Sequence, residues 1–286
     1  MLGLFWKKES KQNGRCLTGM VKEKKRLDIL LVEKGFFKSR ERSKAEIMAG
    51  NVFVNDKRID KPGTQVDADS IITIREKAIP YVSRGGLKLE KAIKVFDIDV
   101  NEKIAIDIGA STGGFTDCLL KNGAKKVYAV DVGYGQLDIS LRNDPRVVVL
   151  ERKNARYLTF EDIGEMADII TADLSFISLT KVFPALLPLL KSCGSLISLI
   201  KPQFELEKKD VGKNGIIREP QLHLKAINKI ITAAQEMSLY MWGLDFSPIT
   251  GPKGNIEFLA LFKKILPDKL TSDPEEVVKK AHLELK

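Results

Sequence analysis

The sequence predicts an α/β fold: a Rossmann-like, mainly parallel sheet of seven strands, the last antiparallel, behind a small N-terminal α+β unit. Three observations carry this expectation. From Ser83 onward, strand-length apolar runs alternate with helical patterns, the arrangement that crossover connections between parallel strands require. Within that region Ile104-Ala-Ile-Asp-Ile108 breaks into the glycine turn Gly109-Ala-Ser-Thr-Gly-Gly114, and a helix opens at once. Ahead of it, residues 20–78 hold two short helical patterns and two alternating strands, a separate and minimal core.

In chain order, residues 1–19 read as a disordered leader. Leu2-Gly-Leu-Phe-Trp6 is too short for a signal-peptide core, and Met20 is a candidate start. Arg26 to Lys34 is an amphipathic helix closed by Gly35. Ser39 caps a second helix, Arg40 to Ala49, stopped by Gly50. Asn51–Asn55 and Ser70–Ile74 alternate as strands around the turn-rich stretch Asp56–Asp69. Ile79-Pro-Tyr-Val82 is a linker, because proline turns its neighbour away from helix. In the main domain, residues 83–265, strands are expected at 104–108, 126–131, 146–150, 168–173, 195–200, 240–246 and 256–262. Helices are expected at 85–96, 114–122, 135–142, 178–191 and 221–237. No helix-length gap separates the last two strands, so they should pair antiparallel at the sheet edge. Residues 266–286 carry a C-terminal helix, started by Ser272-Asp-Pro274 with proline in its first turn.

Composition narrows the function. The 286 residues carry a net charge of +9, which suits a polyanionic partner such as nucleic acid but fits a merely basic soluble protein equally well. Three cysteines without a C-x-x-C spacing argue against disulfides and zinc and fit a reducing cytoplasm. Of the two histidines, His223 lies in a helical pattern and reads as a surface residue, so histidine catalysis has little support. No apolar run reaches the ~18 residues of a membrane span.

In an open parallel sheet, ligands sit beyond the carboxyl ends of the strands. There the glycines at 109, 113 and 114, with Asp107, Ser111 and Phe115, form a turn whose helix N–H groups can face a ligand. The spacing is not G-x-G-x-x-G, and the Lys-Ser/Thr of a phosphate loop is missing. Asp131, at the end of the second strand, is placed to hold a ribose diol. Asn154 and Arg156, after the third, could meet an adenine edge. The nucleoside ligand is expected to be S-adenosylmethionine rather than NAD. Asp173 and Lys201 end the next two strands, Glu257 starts the last, and Lys88 lies on the helix before the first. Each has an ordinary alternative as a surface charge or helix cap. Lys201, emerging from the apolar run Leu196–Ile200, fits that alternative least. Two lysines and two carboxylates would form a neutral cluster, the tolerable way to bury four charges.

Between Met20 and Lys61 twelve bases face seven acids, a net +5. A helix carrying Lys38, Arg40, Arg42 and Lys44, with Arg26 nearby, can track a phosphate backbone, or it can be a solvated face. The pattern Arg26-Leu27-Asp28, Ser39-Arg40, Ala45, Gly50, Val52, Val54-Asn55 and Lys61-Pro62 resembles the S4-like RNA-binding module. Ser83-Arg84, Leu87-Lys88-Leu89, Asp173, Lys201-Pro202 and Glu257 resemble the Lys-Asp-Lys-Glu tetrad of FtsJ-type RNA 2′-O-methyltransferases. Together with Lys-Pro-Gln-Phe-Glu205 and Lys213-Asn-Gly215, the chain over residues 20–265 is similar to the hemolysin A family of rRNA methyltransferases.

The resemblance implies methyl transfer from S-adenosylmethionine to cytidine 2′-hydroxyls of ribosomal RNA, without a metal. Lys201 would be the base, Lys88 and Asp173 would orient the hydroxyl, and Glu257 would hold Lys88. Arg84 would join the RNA contacts. An oxidoreductase on the same sheet is disfavoured by the glycine spacing, and a binding module that lost catalysis by the intact tetrad. No segment supports a pore-former. The loop Glu205–Pro220, with Gly212 and Gly215, reads equally as a substrate lid or a plain surface loop.

Overall fold

The structure, a computed structural model, describes residues 23–37, 39–48, 50–74, 79–268 and 272–285; the predicted leader and Lys38 lie outside them. The chain divides into two compact units, Met1–Lys77 and Ala78–Lys286.

In the first unit helices span Leu27–Glu33 and Arg40–Met48. The Ser39 hydroxyl accepts the Arg42 N–H at 3.2 Å, as expected of a cap. Val52–Val54 is the centre of a three-stranded antiparallel sheet, flanked by Lys57–Arg58 and Ile72–Ile74. Asn55 and Asp56, both at positive φ (49° and 63°), make the tight turn between the first two of these strands; such a two-residue loop matches their twist. Two strands escaped the sequence reading: Lys24–Arg26 pairs antiparallel with Gln65–Asp67. Both are short and mostly polar, so no alternation marked them. Leu27, Leu31, Ile47 and Val52, all fully buried, close the core.

The second unit is built on seven strands: β1 (Ile104–Ile108), β2 (Lys126–Val130), β3 (Val147–Leu150), β4 (Ala167–Ala172), β5 (Leu190–Ile200), β6 (Tyr240–Phe246) and β7 (Phe258–Lys263). Their order across the sheet is β3-β2-β1-β4-β5-β7-β6. β7 runs antiparallel to both neighbours, β5 and β6, and β6 forms the edge. Successive residues of each strand point to opposite faces, and the core accordingly divides in two. Ile106, Ile108 and Ile170 belong to one cluster, Ala105, Val127 and Ile169 to the other.

Four helices matter for the site: α1 (Gly86–Val95), α2 (Gly114–Lys121), α3 (Pro220–Glu236) and α4 (Pro274–Glu284). Two predicted helices are shorter than expected. Residues 178–191 break into the short turns Leu179–Lys181, Phe183–Leu186 and Leu187–Leu189, because Pro184 and Pro188 each withhold an N–H from a continuing helix. The one predicted over 135–142 begins only at Ile139, where Asp138 accepts the Ser140 N–H at 2.9 Å.

His223 corrects the sequence reading. It is fully buried rather than on the surface. Its Nδ1 meets Nε2 of His282 on α4 at 2.8 Å, and its ring leans on Phe258. The helical pattern gave the face of α3 but not that α4 would cover it. Burial, with His282 adding to it, pushes the His223 imidazole down to about 4. Above an unfolded value of about 6.5 the neutral ring contributes its full stability; between about 6.5 and 4 the unfolded chain binds the proton that the fold refuses, and stability falls. The expected loss is about 2 kcal/mol between pH 7 and pH 5. Urea melts of the wild type and His223→Gln at both pH values should show it as a difference in slope. Parallel pH dependences would refute the assignment.

Candidate active site

The site is assembled where β1, β2, β4 and β5 end. β1 stops at Ile108 and the chain turns through Gly109 at φ 82°. A Cβ there would lie 2.6 Å from the Asp173 carbonyl oxygen, so a glycine is what allows the ends of β1 and β4 to touch. Gly113, at φ 96°, starts α2 in the left-handed region.

Beyond the strand ends opens a cleft of about 1060 Å³. Of the predicted cofactor residues, Gly109, Ser111, Asp131, Asn154, Arg156 and Asp173 line it. The Asp131 carboxylate is pinned on both sides, accepting the Ser111 N–H at 2.8 Å and the Gly133 N–H at 2.7 Å. A carboxylate has about four lone-pair sites, so it can still accept from two hydroxyls. Asn154 caps the turn Ala155–Tyr157 through its Oδ1, which accepts the Arg156 N–H at 3.1 Å.

Asp107, Gly113, Gly114 and Phe115, expected in the pocket, sit behind its wall. Asp107 is fully buried and accepts hydroxyls from Thr116 at 2.7 Å and Thr171 at 2.9 Å. Burial pushes its carboxyl up to about 6 against those hydrogen bonds. It braces the turn from beneath, fastening β1 to β4 and α2. Gly114 lets α2 press on the start of α1, since a Cβ would fall 2.9 Å from the Gly86 nitrogen. Phe115 is part of the core, 4% exposed.

The four tetrad positions converge from four elements. Lys88 comes from α1, Asp173 follows β4, Lys201 follows β5, and Glu257 precedes β7. The Lys88 ammonium lies 2.6 Å from a Glu257 oxygen and 3.8 Å from Asp173. Lys201 lies 2.6 Å from the other Asp173 oxygen and donates to the Ser175 hydroxyl at 3.0 Å. Lys88 and Lys201 are each 7% exposed, and Glu257 is 1% exposed. Burial works to raise the Asp173 carboxyl, but the ammonium groups of Lys88 and Lys201 outweigh it and hold it below its usual value. Three buried charges and the half-buried Asp173 thus sum to zero, and each has an opposite neighbour. Gly251 leaves the room this needs: a Cβ would sit 2.6 Å from a Glu257 oxygen.

Several residues of the cleft were not anticipated. Ser175 tethers Lys201. Phe176, at φ 65°, stands 91% exposed at the mouth, its ring 5.0 Å from that of Phe204. An aromatic held out of the core in a left-handed turn is a signal that only the backbone reveals. The loop Glu205–Pro220 is less structureless than expected. It contains the turns Lys208–Asp210 and Lys213–Gly215. The buried Asn255 holds its far side, accepting the Ile217 N–H at 2.9 Å and donating to the Gly215 carbonyl at 2.9 Å.

In the first unit the predicted RNA-binding residues are partly engaged. Arg26 grips the fully buried Asp28 with two nitrogens, each at 3.0 Å, and Arg40 adds a third bond at 2.9 Å. The Arg26 hydrogen bonds, against burial and with help from Arg40, hold the Asp28 carboxyl down at about 2. Arg42 pairs with Glu46 at 2.7 Å. Lys44 is on the same helix, and Arg84 lies two residues before the start of α1 in the second unit.

The strand order, with only β7 antiparallel and the cleft at the carboxyl ends of the strands where the order switches between β1 and β4, is the architecture of class I methyltransferases. Residues 81–264 match the FtsJ-like methyltransferase family, and residues 25–72 match the S4 domain. The chain belongs to the FtsJ-like methyltransferase family, with an S4 domain at its N-terminal side. It is 45% identical over 234 residues to the 16S/23S rRNA (cytidine-2′-O)-methyltransferase TlyA of Mycobacterium tuberculosis, covering 82% of this chain and 87% of that protein. Hemolysin A of Brachyspira hyodysenteriae is 47% identical over 239 residues, 83% of this chain and 99% of its own length. A solved structure described as a hemolysin from Streptococcus thermophilus superposes with a TM-score of 0.73 at 46% identity, over 92% of this chain and 98% of that one.

Proposed function

We propose that this chain methylates ribose 2′-hydroxyls of ribosomal RNA, with cytidine as the target nucleoside and S-adenosylmethionine as the methyl donor. The observation that carries the reading is the Lys88–Asp173–Lys201–Glu257 group, its two lysines and Glu257 buried and Asp173 opening onto the cleft. The cleft suits the donor: Gly109 keeps the turn clear of side chain, Asp131 is fixed to receive ribose hydroxyls, and Asn154 and Arg156 stand where an adenine edge would lie. When bound, S-adenosylmethionine supplies a methyl group on a positively charged sulfur.

The remaining chemistry belongs to the chain. A ribose hydroxyl is a weak nucleophile and must give up its proton as it attacks. Lys201, in its neutral form, takes that proton on Nζ. Asp173 fixes Lys201 and, with Lys88, orients the hydroxyl, while Glu257 holds Lys88 in place. A ribose within a paired helix reaches such a recess only when its nucleotide is extruded. Phe176, exposed beside Ser175 with Phe204 behind it, offers a stacking face to an extruded base. Among the described residues no helix is long and apolar enough to cross a membrane, and an rRNA substrate places the enzyme in the cytoplasm.

The test is mass-spectrometric mapping of ribosomal RNA methylated in vitro, on free RNA and on separated subunits. The expected product is a 2′-O-methylcytidine, absent when S-adenosylmethionine is omitted. A methyl group on a base would refute the roles given to the tetrad.

A further inference from the structure

We infer that Glu205 is a positioning residue that staples the loop carrying Lys201 to the loop carrying Asp173; the inference rests on the 2′-O-methylation reading. Lys201 and Asp173 approach to 2.6 Å, yet they leave different strands, β5 and β4, on separate loops. One turn after Lys201, the short helix Pro202–Glu205 ends in a carboxylate only 2% exposed. Its two oxygens take the Ser178 hydroxyl at 2.5 Å and the Leu179 N–H at 3.0 Å, both on the loop that begins at Asp173. The Glu205 carbonyl accepts in turn from Lys229 on α3. Between the ends of this seam lie the Lys201–Ser175 bond and the Phe176–Phe204 ring contact.

A buried carboxylate is an expensive way to join two loops. Burial indeed pushes the Glu205 carboxyl upward, although the Ser178 and Leu179 hydrogen bonds oppose this. Its use here makes sense if the register between the loops has to be held within tenths of an ångström, because a shift of ~1 Å at the reacting atoms can cost ~100-fold in rate. Glu205 itself need not touch the reacting atoms. It sets where Lys201 stands relative to Asp173.

The experiment compares Glu205→Ala and Glu205→Gln in the full chain. Glutamine can still accept the Leu179 N–H and donate to the Ser178 hydroxyl, so it should rescue. Single-turnover methylation, normalised to the fraction of molecules that bind S-adenosylmethionine, should fall about 100-fold in Glu205→Ala and less than about 10-fold in Glu205→Gln. A second readout does not depend on turnover: reductive alkylation with formaldehyde and cyanoborohydride, read lysine by lysine by mass spectrometry. Lys201 and Lys88 should label faster in Glu205→Ala, with Lys126 and Lys191 unchanged. An unchanged normalised rate, or labelling that rises equally at all four lysines, would overturn the inference and leave Glu205 an ordinary core residue. If the wild type fails to methylate ribose while labelling still rises selectively at Lys201 and Lys88, the staple stands and the functional reading fails.

Discussion

Replacing Lys201 with alanine is expected to slow single-turnover methylation by about 10³-fold or more, because a positioned general base contributes about 10²–10⁴. Affinity for S-adenosylmethionine should stay within about 3-fold, since the loss is confined to the step that moves a proton. Lys201→Arg separates two roles. Arginine keeps the positive charge beside Asp173 but cannot release its proton in a protein. If Lys201 acts only by balancing Asp173, the arginine variant should recover most of the rate; if it is the base, arginine should be nearly as slow as alanine. We expect the second outcome. Rapid-quench assays with radiolabelled donor measure the rate, and titration calorimetry measures the affinity. A Lys201→Ala enzyme with normal turnover would remove the base from the mechanism.

The parts of the fold that the sequence made legible are those fixed by local pattern. An apolar run that ends in a polar residue marks a strand end, which is why Asp131, Asp173 and Lys201 could be placed on one rim without coordinates. The parts that stayed hidden depend on neighbours distant in sequence. Lys24–Arg26 becomes a strand only because Gln65–Asp67 lies beside it. His223 is buried only because α4 brings His282 over it. Asp107 ends an apolar strand just as Asp173 does, yet one carboxylate faces the cleft and the other is sealed beneath it by Thr116 and Thr171. Side-chain direction at a strand end depends on which face the twist presents, and residue type does not encode it. The roles of Ser175 and Glu205 are hidden for the same reason, since they arise where two loops meet. The breaks at Pro184 and Pro188 are different: that signal lies in the sequence itself, since each proline withholds an N–H from a continuing helix.

Removing the N-terminal unit should cost most of the affinity for ribosomal RNA, and the salt dependence should show why. Arg26 and Arg40 are held by Asp28, and Arg42 by Glu46. A guanidinium has five N–H donors, and these pairings use at most two on any one side chain. The pairings therefore orient the arginines and leave donors for phosphate. If Arg26, Arg40, Arg42 and Lys44 each meet one phosphate, they contribute about 3 to the slope of log K against log salt, or roughly 60-fold in affinity between 50 and 200 mM salt. The full chain carrying Arg42→Ala and Lys44→Ala should lose about 1.5 of that slope while its intrinsic methylation rate on bound RNA is unchanged. Asp28→Asn should behave differently. It removes the charge that holds Arg26 and Arg40, so it should lower the melting temperature and weaken RNA binding together. Residues 78–286 alone should bind rRNA at least about 100-fold more weakly than the full chain at low salt. Filter binding across a salt series distinguishes these cases. A truncated protein that binds and methylates rRNA as the full chain does would mean that the basic face of the S4 domain meets some other partner.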